Sequence, residues 1–125
     1  MKQIILLGFS AIALSGCGDG SSSSSEPSES SMMARYQTLS KKKLEESLRD
    51  PGSAKYEDVS GHRLPNEGFV FCGRINAKNG FGGYTGFERF VASPAIAGTE
   101  STVEGFDEVW TQFCSSSSRV QSVWF

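Results

Sequence analysis

The sequence predicts an α+β domain in which an N-terminal helix is followed by a three-stranded antiparallel meander and a C-terminal helix. Three observations carry that expectation. In YQTLSKKKLEESLRD, residues 36–50, together with the turn before it, Met33, Tyr36, Leu44 and Leu48 fall within one arc of a helical wheel. Residues 69–76 and 84–92 alternate side to side about the glycine-rich NGFGG, the pattern of a hairpin. Phe106, Val109, Trp110 and Phe113 recur at i, i+3, i+4 and i+7, the spacing of a helix buried on one side.

Each element follows from its residues. On the first helix Lys41, Lys42, Glu45 and Glu46 face away from the apolar arc and can pair at i, i+4. Asp50-Pro51-Gly52 stops it, because proline has no amide donor and disfavours helix for the residue before it. Residues 56–63 then read as a first strand, LPNEG as a turn and residues 69–76 as a second strand, with His62 in the turn-like SGHRLPNEG where the first strand ends. NGFGG supplies the glycines that a tight hairpin needs, and YTGFERFVA, residues 84–92, returns as the third. Ser101-Thr102-Val103-Glu104 fits a capping box for the last helix, but Gly105 costs a helix about 1 kcal/mol, which moves the expected start nearer Asp107. The tail either packs Val120, Val123, Trp124 and Phe125 on the sheet or stays loose. Three strands are too few to close a barrel.

Ahead of the domain, Met1 and Lys2 precede IILLGFSAIAL, an uncharged apolar run too short to span a bilayer as a mature helix. It ends in Leu14-Ser15-Gly16-Cys17, which resembles the lipobox of bacterial lipoproteins. The resemblance implies that residues 1–16 are a signal peptide and that Cys17 becomes the first residue, its thiol bearing a diacylglycerol and its amine a fatty acyl chain such as palmitate. Two or more chains anchor stably where one is reversible. The competing reading is an ordinary cleaved leader with a cysteine nearby. In Gram-negative lipoproteins an aspartate directly after the cysteine marks retention at the inner membrane. Gly18 stands there, so the expected place is the periplasmic face of the outer membrane.

Residues 17–34 are rich in serine, glycine and glutamate, cannot bury enough surface to fold, and read as a tether of about 20 Å. Residues 35–125 are then one small domain. With Lys2 gone, the twelve Lys and Arg become eleven against fourteen Asp and Glu, a mildly acidic balance that argues against nucleic acid or anionic lipid as a partner. Once Cys17 is lipidated, Cys72 and Cys114 remain in an exported chain, which points to one disulfide closing a loop of about 43 residues. A zinc site would have only two thiols and His62, short of four ligands, so no metal or cofactor is expected.

LRDPGSAKYEDV followed by FCGRINAKNGFGGYTGFERFV resembles a set of small secreted or lipid-anchored proteins of proteobacteria and their phages. These share D-P-x-S-A-K-aromatic and then C-G-x-x-N-x-K-N-x-x-G-G-Y-x-G-F, and the likeness covers residues 48–91. Tyr56 stands where phenylalanine is more usual, and Gly52 where an acidic residue is common. The resemblance implies an exported domain, and its phage members suggest interference with an envelope process such as superinfection or lysozyme attack. It implies no chemical activity.

Within the motif Asn76, Lys78, Asn79, Gly82, Gly83 and Tyr84 form the candidate binding surface. Glycines admit a close backbone, asparagine amides donate and accept, and Tyr84 offers a ring face. The competing reading is that they only shape a turn. GFGGYTG lacks the dinucleotide-binding spacing. No catalytic residues are expected: an oxidised Cys72 is no nucleophile, and Glu45 and Glu46 are a solvated helix face. The chain therefore reads as a membrane-anchored, non-catalytic interaction or inhibitory module whose partner is an envelope protein or glycan. The alternative is a peptidoglycan- or glycan-binding module using Tyr84, which requires an exposed ring. A hydrolase would require His62 within hydrogen-bond reach of a hydroxyl or thiol.

Overall fold

The computed structural model describes residues 25–66, 68–115 and 119–125. The leader, Cys17 and the first part of the tether lie outside the described residues, and no described helix is long and apolar enough to cross a membrane.

In order, the elements are α1 (Glu29–Glu45), a 3₁₀ turn (Pro51–Ser53), β1 (Lys55–Arg63), β2 (Phe69–Asn76), β3 (Glu88–Ala92), β4 (Ala97–Thr99), α2 (Phe106–Phe113) and β5 (Arg119–Ser122). The strands form one five-stranded antiparallel sheet in the order β4-β3-β2-β1-β5. This corrects the three-stranded meander.

The expected strands are its centre, and the two extra strands are its edges. Neither edge carries an alternating pattern. β4 has three residues and returns from β3 through a turn at Ser93-Pro94, closed by the Ser93 N–H donating to the Ile96 carbonyl at 2.7 Å. Every residue of β5 is exposed, so only its backbone pairing with β1 makes it a strand. The third strand is also shorter than expected, because residues 84–87 belong to the loop before it.

α1 begins seven residues ahead of the predicted start, inside the segment read as tether. Ser28 caps it, its hydroxyl accepting from the Ser31 amide at 3.3 Å. Met33, Ser40 and Leu44 are its buried residues, and the helix ends before Ser47 and Leu48, which continue only as a turn. For α2 the expected capping box is absent. Residues 101–104 are a turn in which the Thr99 carbonyl accepts from the amides of Thr102 and Val103, and Gly105, at φ 67°, is the N-cap. A glycine adopts that left-handed conformation without a Cβ penalty.

β2 is buried on both faces. Phe69, Phe71 and Ile75 meet Met33 and Leu44 of α1 together with Val59, Phe90 and Ala92, while Val70 and Cys72 meet Val91 and Phe106 on the side of α2. Cys72 and Cys114 form a disulfide, with Cα atoms 5.9 Å apart, that ties the end of α2 to the centre of the sheet. Opposite Gly73, β1 carries a bulge: Glu57 pairs with Arg74 and Ser60 with Cys72, leaving Asp58 and Val59 against one residue. Asp58 takes the left-handed φ of 52° there, and a Cβ on Gly73 would come within 2.9 Å of the Val59 Cα. No larger side chain fits without moving backbone.

The tail divides. Val123 and Phe125 pack on the α1 face of the core, and the Phe125 ring lies 5.4 Å from Tyr56, 5.5 Å from Phe71 and 5.4 Å from Phe90. Val120 and Trp124 are exposed.

Candidate functional site

The candidate residues run from Asn76, the last residue of β2, into the loop joining β2 to β3, residues 77–87, and most of their polar atoms are spent inside it. The Asn79 side-chain carbonyl accepts from the amides of Phe81 at 2.9 Å and Gly83 at 3.2 Å. The backbone adds two bonds, from the Asn79 amide to the Gly83 carbonyl and from the Gly82 amide to the Asn79 carbonyl. The Asn76 side-chain carbonyl accepts from the Gly86 amide. Gly82 at φ 79° and Gly86 at φ 105° occupy backbone regions that a side chain would strain. Asn76, Asn79 and the glycines therefore build the loop and do not reach outward.

The two halves of the sequence motif meet here. The Lys78 amide donates to the Ser53 hydroxyl at 2.8 Å, and the Tyr84 hydroxyl donates to the Ser53 carbonyl at 2.8 Å. Lys78 and Tyr84 pair as an isolated antiparallel bridge. The Lys55 ammonium lies 4.6 Å and that of Lys78 5.8 Å from the centre of the Tyr84 ring, a cation–π arrangement. Ser53 is thus the hinge pin between the D-P-x-S-A-K segment and the glycine-rich segment. It was not among the expected site residues, though its place in the first segment was the available signal.

At the tip stands Phe81, completely exposed, between Gly80 and Gly82, whose Cβ positions face open space. It too was missed, because a lone phenylalanine in a turn has no periodicity to mark it. Tyr84 is 41% exposed, so the condition set for sugar stacking is met, although its ring already carries the two ammonium groups. Phe87 is at the exposed border, under the Arg74 guanidinium, which pairs with Glu57 at 3.1 Å.

His62 lies in β1, within the strand expected over residues 56–63 and ahead of the turn, and is 2% exposed. Its Nδ1 is 3.1 Å from the Ser115 carbonyl and so carries the proton that is donated there, leaving Nε2 to accept from the Ser60 hydroxyl at 2.8 Å. The hydroxyl that the hydrolase reading required is therefore in reach. Burial pushes the imidazole below its ordinary range, the Ser115 carbonyl acts in the opposite sense, and Arg119 lowers it further. With both nitrogens engaged, the ring ties β1 to the chain just beyond the disulfide.

Elsewhere the notable polar cluster is a clamp. Arg89 bonds Glu100 and Asp107, both at 2.6 Å, and lies over the rings of Phe106 and Trp110, fastening β3 to α2. Its hydrogen bond holds Glu100 below the usual carboxylate range. Among the described residues no three His, Cys, Asp or Glu side chains gather where they could hold a metal ion.

Compared with known proteins, the chain matches no family model, no curated protein and no solved structure.

Proposed function

We propose that the chain is a membrane-anchored, non-catalytic envelope lipoprotein acting as an interaction or inhibitory module, with loop 77–87 as its working surface. The observation that carries this is the contrast within the loop. Its polar residues are consumed in holding its shape, and what it presents is a fully exposed phenylalanine. A loop stiffened in advance loses little entropy on binding, and an aromatic anchor is the side chain that contributes most to recognition. The disulfide agrees with an exported chain.

The test is affinity capture from detergent-solubilised envelopes with the parent chain and with Phe81→Ser, a change at a position that packs on nothing. A component held by the parent and lost by the variant supports the reading, and identical captures sink it. Labelling with a palmitate analogue that disappears in Cys17→Ala tests the anchor. A serine-directed fluorophosphonate that modifies Ser60 overturns the non-catalytic part, since the Ser60–His62 pair has nucleophile-and-base geometry.

The exposure of Tyr84 favours one second reading, a glycan-binding module. Retention on purified peptidoglycan that is abolished by Tyr84→Ala and not by Phe81→Ser selects it.

A further inference from the structure

We propose that loop 77–87 docks on a phospholipid surface with anionic head groups, Phe81 entering the interface and Lys55 and Lys78 meeting the head groups. This rests on the reading of the loop as the interaction surface and names its partner.

Residues 79–87 carry no charged side chain. The amides of Asn79, Phe81, Gly82, Gly83 and Gly86 all have acceptors within the domain, four of them inside the tip itself. Entry into a region poor in water is costly for a backbone whose amides are unpaired, and these five amides, that of Phe81 among them, enter already bonded. Phe81 stands clear at the summit, and the glycines on either side leave nothing to hinder its approach to a flat surface.

Just behind the tip the charge changes. Lys78 opens the loop, and Lys55 joins it over Tyr84. Among the described residues neither lysine is in an ion pair, whereas Arg74 nearby is neutralised by Glu57. An apolar tip with a basic collar behind it matches the layering of a lipid interface, acyl chains within and phosphates without.

The domain as a whole is mildly acidic, so long-range attraction does not bring it to such a surface. A tether fixed in the same membrane supplies the local concentration instead. Each lysine near an anionic surface strengthens contact about fivefold, and burying the phenylalanine does so by about tenfold.

The experiment uses the full-length, lipid-anchored chain reconstituted into vesicles of phosphatidylethanolamine and phosphatidylglycerol. Phe81→Trp places an indole at the tip, with the signal of Trp110 and Trp124 measured in the parent chain and subtracted. Phospholipids brominated on their acyl chains quench the added indole and vesicles shield it from acrylamide if the proposal holds. Lys55→Gln combined with Lys78→Gln weakens the contact by about 25-fold, about fivefold for each lysine, and lowers the quenched fraction accordingly.

An indole as open to acrylamide on vesicles as in their absence overturns the proposal. So does equal quenching in phosphatidylcholine alone, and so does protection that appears only when envelope proteins are added, which assigns the loop to a protein partner. The mass of Cys17, acylated or bare, decides the anchoring reading separately, so the two failures are distinguishable.

Discussion

His62 shows how much one side chain can decide. Sequence alone placed it where the first strand runs into the turn-like SGHRLPNEG and gave it no partner, yet it is the residue that joins β1 to Ser115. Since its folded pKa lies below the unfolded value of about 6.5, the neutral form is the one that folding favours. Its contribution is therefore complete above that pH and is lost as the pH falls through it toward the folded value. The denaturation midpoint should drop between neutral and mildly acidic pH by more in the parent than in His62→Gln, and equal drops would remove this role. Tyr56 makes the same point about burial: its hydroxyl is buried without a partner among the described residues, and burial, with the nearby Glu45 charge, pushes it up to about 12. It stays protonated throughout.

At the scale of elements, the edges are where the fold departs from expectation. β5 brings almost no apolar surface of its own, yet it carries Val123 and Phe125 to the core, where Phe125 meets Tyr56, Phe71 and Phe90. Removing that ring leaves a hole among aromatics, whereas Trp124, 93% exposed, fills nothing. Phe125→Ala should therefore destabilise the domain by about 2 to 4 kcal/mol, and Trp124→Ala by less than about 0.5 kcal/mol. Chemical denaturation of both measures the contrast, and equal losses would mean that the tail does not pack as a wedge. The bulge in β1 is the companion device, letting Val59 close over Gly73.

Over the whole molecule, the sheet is covered by α1 on one face and only partly by the short α2 on the other. The second face relies on a covalent tie. Reduction, or the pair Cys72→Ala and Cys114→Ala, should cost about 4 kcal/mol through the freed loop. The loss should appear in the global unfolding midpoint, not only in exchange of the α2 amides. If α2 alone loosens while the midpoint holds, the disulfide fastens a local element and not the fold.

The sequence by itself determined the central strands and most of both helices, because their side chains repeat with the periods of 2 and 3.6 that buried faces impose. It also determined that Cys72 and Cys114 were available to pair, and it marked Asn76, Lys78, Asn79, Gly82, Gly83 and Tyr84 as one patch. Only the tertiary structure decided that β4 and β5 exist, since edge strands are made by backbone pairing that leaves no mark on side-chain pattern. It alone shows how the patch is built. Ser53 turns inward because the half-buried Lys78 amide must find an acceptor, and Asn79 turns its carbonyl back to close the turn on the Phe81 and Gly83 amides. Phe81, having no such demand to meet, is left facing outward.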